Sequence, residues 1–123
     1  MAAVAHFGHV VIDCANPDQL AQFWCTMLDT TVQMRWNQYV MLRPTEKGGV
    51  ALAFQQVPES KSVKNRMHLD LMVTDGDLVK ATDAAVAAGA TVVNSLTEDP
   101  VTITVLHDPE GNEFCLVLLP PRH

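Results

Sequence analysis

The chain has 123 residues and a mass of 13.5 kDa, enough for one domain with a hydrophobic core and too little for two independent ones. Hydrophobic residues make up 48% and charged residues 18%, which excludes a disordered chain. Eight basic residues stand against fourteen acidic ones, a net charge of −6, and no basic run is present. We therefore expect no nucleic-acid partner.

Targeting and redox features favour a cytoplasmic protein. The apolar stretches are too short to span a membrane, so we expect no membrane-spanning segment. Residues 1–5 lack the basic and apolar regions of a signal peptide, so we expect no signal peptide. The cysteines Cys14, Cys25 and Cys115 are odd in number, widely spaced and without a C-x-x-C pair. This pattern argues against a disulfide framework or a zinc knuckle, and a reducing cytoplasm is the expected location.

The first half of the chain predicts a strand, a helix and three further strands. Residues 7–14 are short, rich in Val and Ile, and end before an Asn-Pro-Asp sequence, which is typical of a strand. Asn16 is a suitable helix cap with Pro17 in the first turn. The apolar residues that follow have the spacing of one helix face: Leu20, Phe23, Trp24, Met27 and Leu28. Three β-prone segments then occupy residues 30–35, 39–43 and 50–57.

The second half repeats this order after a polar connector. A strand at 68–73 precedes an alanine-rich helix at 78–88 that ends at Gly89. Three strands follow, at 91–96, 101–107 and 113–119. We therefore predict an α+β fold of two βαβββ modules in a single domain, with module one at about 6–57, the connector at about 58–66 and module two at about 67–119.

One histidine opens the first strand of each module. His9 and His68 lie 59 residues apart, and along each strand the wholly apolar positions alternate with positions that carry His and Asp. The apolar sets should pack under the helices, which places both histidines, Asp13 and Asp70 on the opposite faces. Two curled mixed sheets with such faces predict a cleft for a small molecule.

These features resemble the vicinal oxygen chelate superfamily over about residues 6–119. The resemblance rests on the repeated His-led strand and on the sequence Asp-Pro-Glu-Gly-Asn at 108–112, and residues 65–71 look like its glyoxalase-like subgroup. The superfamily includes glyoxalase I, bleomycin and fosfomycin resistance proteins and extradiol dioxygenases. It implies the glyoxalase/bleomycin resistance-like fold.

The resemblance also implies a candidate metal site. In metal-using members, one side chain from the first and last strand of each module binds a divalent ion, and these positions fall on His9, Gln55, His68 and Cys115. The last-strand positions usually hold Glu, so an amide and a thiol replace two carboxylates. Imidazole with thiolate favours zinc over harder ions. A metal-free pocket remains an alternative to a metal site. Cys115 can also be a small buried apolar residue and not a ligand.

Five further residues complete the predicted site. Glu113 and Asp70 share the histidine face and are candidate proton-transfer bases. Arg35, Trp36 and Tyr39 flank a predicted hairpin at the cleft mouth, where they would contact a ligand.

Three functions are compatible with the sequence. The first is a metal-dependent lyase, isomerase or dioxygenase that chelates neighbouring oxygens of a small substrate. The second is a metal-free protein that binds or sequesters a small molecule, as bleomycin resistance proteins do, and the third is an interaction protein with a filled cleft. We expect a homodimer, because the sheets leave edge strands to be covered. We also expect His9, Gln55, His68 and Cys115 to converge on one point.

Overall fold

The computed structural model describes residues 3–98 and 100–120. Residues 1 and 2 of the segment 1–5, for which no signal peptide is expected, lie outside the described residues. The chain divides after Ser60 into two compact units, each with one four-stranded mixed sheet and one helix. The elements in chain order are β1 (His9–Cys14), α1 (Pro17–Leu28), β2 (Val32–Trp36), β3 (Tyr39–Leu42), β4 (Ala51–Gln56), β5 (Leu69–Met72), α2 (Leu78–Ala88), β6 (Thr91–Glu98), β7 (Val101–His107) and β8 (Glu113–Leu118). The predicted α+β fold of two βαβββ modules is confirmed.

The first sheet has the strand order β1-β4-β3-β2, with β1 parallel to β4 and the other pairs antiparallel. Helix α1 begins where the Asn16 side chain accepts a hydrogen bond from the backbone N–H of Gln19, as the cap sequence predicts. The helix packs on β3 and β4 through buried Leu20, Phe23 and Trp24. These side chains therefore belong to the buried core between the helix and the sheet.

The second sheet repeats the arrangement as β5-β8-β7-β6, with β5 parallel to β8. Asp77 caps α2 by accepting from the backbone N–H of Lys80, and Gly89 ends the helix with φ 127°, a conformation that favours glycine. The α2 residue Thr82 contacts the sheet by a hydrogen bond between its hydroxyl and that of Thr104, at 3.2 Å. The helix 78–88 is confirmed at both ends.

Each sheet has one face that carries the helix and a second face, called here the helix-free face. In the first unit, Arg35 is on the helix side because it pairs with Asp18 of α1, and its cross-strand neighbour Val40 is buried there. Val40 pairs with Phe54 and Phe54 with Ile12, so His9, three residues before Ile12, lies on the helix-free face. In the second unit Thr104 is on the helix side because it bonds Thr82 of α2, and it pairs with Leu116, so the adjacent pair Cys115 and Asp70 lies on the helix-free face. His9 and Asp70 are both exposed. The predicted division of polar and apolar faces is confirmed.

Some strand ends differ from those predicted. The first strand starts at His9 and not at residue 7, since its ladder with β4 begins at the pair His9 and Ala51; Phe7 is 85% exposed. The strand β6 extends to Glu98, two residues beyond the predicted end, since its ladder with β7 continues to the pair Glu98 and Val101. Within the described residues, neither helix has the length and apolar character needed to cross a membrane.

Candidate functional site

The parallel pairing of β5 with β8 brings three donor side chains together. Asp70 lies directly opposite Cys115, and Glu113 is two residues before Cys115 on the same strand. His68 lies one residue before β5, which starts at Leu69 and not at 68 as predicted, and its Nε2 is 3.1 Å from Asp70 Oδ1. Directly opposed residues of paired strands share a face. His68, Asp70, Cys115 and Glu113 therefore lie on the helix-free face of the second sheet.

The closest of these groups form a cluster of three donors, called here the triad. One ligand atom each from His68, Asp70 and Cys115 lies within 4.8 Å of the other two, and His68 Nε2 is 3.1 Å from Asp70 Oδ1. Cys115 is buried, while the side chains of His68 and Asp70 are about half exposed. Solvent and small molecules therefore reach two of the three donors.

The triad fits a zinc ion by distance and by chemistry. Bonds of about 2.0–2.3 Å in a tetrahedral site put neighbouring donors roughly 3.3–3.8 Å apart, so donors up to 4.8 Å apart would have to move about 1 Å closer to bind one ion. Imidazole, thiolate and carboxylate are the ligands that zinc uses in proteins. Three protein donors leave the fourth tetrahedral position open, as in catalytic zinc sites.

The Cys115 thiol lies in a setting that disfavours its ionised form. Burial raises its pKa, and the negative charges of Asp70 and Glu113 raise it further. The thiol is therefore protonated at neutral pH, and a metal that binds it displaces a proton.

Glu113 contacts a different partner on the same face. Its Oε1 atom accepts from Lys64 Nζ at 2.9 Å, and this hydrogen bond, helped by the lysine charge, lowers the pKa of the carboxyl. Positive charge on His68 and His107 acts in the same direction. Glu113 is consequently a carboxylate at neutral pH.

The segment that carries Lys64 is tied to the turn before β8. Asn65 accepts from the backbone N–H of Glu113 at 3.0 Å, and its Nδ2 donates to Asn112 Oδ1 at 3.3 Å. Asn112 is itself held by Asp108, a buried carboxylate that accepts from both the backbone N–H and the side-chain Nδ2 of Asn112. The connector and the turn therefore form one hydrogen-bonded unit beside the triad.

The register of the first sheet separates the two residues predicted there as metal ligands, and the described part of this sheet holds no equivalent triad. His9 lies opposite Ala51, and Gln55 lies opposite Asp13. Gln55 is therefore four residues further along the sheet than His9, or about 13 Å. The predicted convergence of His9 and Gln55 with His68 and Cys115 involves residues of both units, and it remains a prediction.

The assumed equivalence between Gln55 and Cys115 is wrong. By strand pairing, the counterpart of Cys115 is Ala53, since Ala53 lies opposite Val11 as Cys115 lies opposite Asp70. The first strands of the two units are related by 59 residues, whereas the last strands are related by 62. The motif equivalence of Gln55 with Cys115 implies an offset of 60 for the last strands and is therefore two residues short.

The three hairpin residues predicted to bind a ligand lie on two faces. Trp36 and Tyr39 are cross-strand partners on the helix-free face of the first sheet, where Trp36 is 68% exposed. Arg35 lies on the helix side, where its Nε is 2.8 Å from Asp18 Oδ1 beside an open groove of about 520 Å³ between α1 and β2. The structure brings Trp36 and Tyr39 together and separates Arg35 from them.

Two residues near the triad were not predicted from the sequence. Lys64 contacts Glu113 although 49 residues separate them, and no local pattern indicates such a contact. His107 lies opposite Glu113 in the β7–β8 ladder. Its position follows from the turn at 108–112, because residues 107 and 113 flank that turn symmetrically and must pair if it closes a hairpin.

Comparison with solved structures places this fold among known ones. A glyoxalase/bleomycin resistance protein/dioxygenase family enzyme from Burkholderia phytofirmans PsJN matches with a TM-score of 0.79 and 20% identity, over 94% of this chain and 100% of that chain. The fosfomycin resistance protein FosX from Mesorhizobium loti matches with a TM-score of 0.72 and 10% identity, over 97% and 95%. A glyoxalase/bleomycin resistance protein from Albidiferax ferrireducens T118 has a TM-score of 0.68 and 17% identity, over 93% and 98%. At these identities the likeness shows the fold.

Sequence comparison gives the family. No curated protein sequence matches the chain. The profile of the glyoxalase-like domain family matches residues 9–117, nearly the whole length over which the two modules repeat. Because this match covers most of the chain, the chain belongs to the glyoxalase-like domain family.

Proposed function

We propose that this protein is a zinc-dependent lyase or isomerase that acts on a small molecule with two neighbouring oxygen atoms. The observation that carries the proposal is the triad, three donors of the types zinc prefers on one accessible sheet face. His68, Asp70 and Cys115 would hold the ion. Bound there, zinc would supply a Lewis acid that polarises a substrate oxygen.

The roles of the protein groups follow from their settings. The sequence offers Asp70 as a candidate base, but we assign it to the donor set because its Oδ1 lies 3.1 Å from His68 Nε2. Glu113 is outside that set, ionised and on the same face, and we assign it the role of the base that accepts a proton from a substrate carbon next to a carbonyl. Its lowered pKa makes it a weak base, so the zinc would have to acidify that carbon. His9 and Gln55, which lie about 13 Å apart along the first sheet, are not part of this donor set.

A second candidate function is metal-free binding of a flat aromatic molecule. It is favoured by Trp36, which exposes 68% of its surface beside Tyr39 on the helix-free face of the first sheet. An exposed aromatic pair offers stacking area without any requirement for a metal. The neighbours support either candidate, since they include both a dioxygenase family enzyme and resistance proteins.

Metal analysis separates the two candidates. The protein is purified without chelator, and zinc content is measured by mass spectrometry for the unmodified chain, for His68→Ala and for the control His6→Ala, a histidine outside the triad. We expect about one zinc per chain in the unmodified protein and in the control, with loss of zinc in His68→Ala. Absence of zinc from the unmodified protein, with no rise in melting temperature on adding zinc, would refute the enzyme proposal and favour the binding protein.

The expected homodimer and the cytoplasmic location are further parts of the proposal. Strands β1, β2, β5 and β6 are the edge strands of the described sheets, and edges of this kind are usually paired or covered. Sedimentation at micromolar concentration tests the dimer, since a single 13.5 kDa species would refute it.

A further inference from the structure

Glu113 is near the triad but does not belong to it. It is two residues before Cys115 on the same face, so its Cα lies about 7 Å from that of Cys115. A glutamate side chain is long enough to cover much of that distance. Its carboxylate nevertheless lies outside the group of donors within 4.8 Å, and Lys64 Nζ holds it at 2.9 Å.

The position of Lys64 is determined by its neighbour in the chain. Asn65 accepts from the backbone N–H of Glu113 and donates to Asn112, so residue 64 is held directly beside the start of β8. The side chain of Lys64 is 74% exposed, whereas that of Glu113 is only 18% exposed. The contact therefore joins an exposed lysine to a mostly covered carboxylate, and the hydrogen bonds of Asn65 hold the backbone of the lysine beside it.

The contact affects which metals the site can bind. An Oε1 atom that accepts from an ammonium group is less available to a cation, and the side chain of Glu113 would have to leave Lys64 to enter the triad; the lysine charge also repels a cation nearby. Without Glu113 the donors are one imidazole, one thiolate and one carboxylate, a set suited to zinc. A second carboxylate would shift the set toward harder ions such as Mn²⁺.

We propose that Lys64 is a metal-selectivity residue: by holding Glu113, it keeps a second carboxylate out of the triad and so maintains a preference for zinc over manganese. This inference rests on the proposed function, because it requires that the triad binds zinc. It assigns to the connector a role in the site, although the connector contributes no metal ligand.

Metal titration of matched variants tests the proposal. Lys64→Met is compared with Lys61→Met, which removes the same charge from the same connector but from a lysine bound to the Val63 carbonyl. Zinc affinity is measured by competition with a chromophoric chelator, and manganese affinity by electron paramagnetic resonance of the free ion. We expect Lys64→Met to raise manganese affinity by about tenfold or more, the scale of outer-shell effects on metal sites, with a smaller change for zinc. Lys61→Met should leave the ratio of the two affinities unchanged.

A double variant separates ligand recruitment from simple loss of charge. In Lys64→Met combined with Glu113→Gln, the freed side chain is an amide, and the gain in manganese affinity should disappear. Equal gains for zinc and manganese in Lys64→Met, or a manganese gain that survives Glu113→Gln, would overturn the inference. An unmodified protein that binds no zinc would overturn the proposed function and this inference with it, whereas zinc binding without the manganese gain overturns the inference alone.

Discussion

Replacement of Cys115 by serine should abolish most of the stabilisation that zinc gives. The hydroxyl of serine does not ionise as a thiol does, so the triad loses its thiolate. Without metal the change should be mild, about 1 kcal/mol or less, because the two side chains are nearly equal in size and a serine hydroxyl can also donate to Asp70. Loss of metal stabilisation can therefore be separated from loss of folding.

The magnitude follows from linkage. At a free zinc concentration of 100 times the dissociation constant, binding stabilises the folded protein by about 2.7 kcal/mol. For a chain of this length that corresponds to a rise in melting temperature of roughly 10 °C. If Cys115→Ser weakens zinc binding about 100-fold, the same zinc concentration stabilises by only about 0.4 kcal/mol, or less than 2 °C.

The assay is thermal unfolding followed by circular dichroism, with chelator-treated protein and buffered free zinc. Cys25→Ser is the matched control, since Cys25 is a half-buried thiol of α1 outside the triad. We expect the control to keep the full zinc-dependent rise. A rise in Cys115→Ser equal to that of the unmodified protein would show that zinc does not bind the thiol, and the triad would then be the wrong site.

Four further measurements test the surroundings of the triad. Asn65→Ala should destabilise the protein by about 1–3 kcal/mol in urea unfolding, because the backbone N–H of Glu113 loses its acceptor, whereas Asn65→Asp keeps that acceptor and should lose less. Asp108→Ala should cost at least as much, since several donors of the turn lose a buried acceptor; an unchanged urea midpoint would contradict the assigned hydrogen bonds. Zinc binding at pH 7 should release about one proton, because burial raises the pKa of Cys115 and the thiol is protonated before zinc binds. Calorimetry in buffers of different ionisation enthalpy measures this proton, and a binding enthalpy that does not depend on the buffer would contradict its release. Because the folded-state pKa of Glu113 is lowered, the unmodified protein should be more stable than Glu113→Gln above the ordinary glutamate pKa of about 4.3. This difference should disappear as pH falls through the folded-state pKa. A difference that does not change with pH would be inconsistent with the Lys64 contact.

Local patterns were sufficient for most of the fold. The helix at 78–88 could be predicted to the residue because its cap, its alanine-rich interior and Gly89 are all local signals. The positions of His68 and Asp70 on one face followed from strand alternation, and this alternation needs no knowledge of strand partners. Strand alternation alone does not place these two donors beside Cys115, because that depends on the pairing of β5 with β8.

The unpredicted features depend on long-range geometry. The ladder between β2 and β3 is irregular between Val32 and Met34, and the extra residue reverses the alternation, which is why Arg35 lies on the helix side. The relative offset of β4 and β8 could not be counted from motifs because it depends on which residues pair. The contact between Lys64 and Glu113 joins segments 49 residues apart, and only the folded chain brings them together.

The register difference between the two sheets also indicates how a second site could be engineered. The first sheet already carries the histidine of the triad at His9, and strand pairing identifies Val11 and Ala53 as the other two positions. Both positions share the face of His9, and Ala53 is buried as Cys115 is. Val11→Asp with Ala53→Cys would therefore copy the donor set into the first unit, whereas changes at Gln55 would not. Two substitutions would convert a half that lacks the triad into a duplicate of the half that has it.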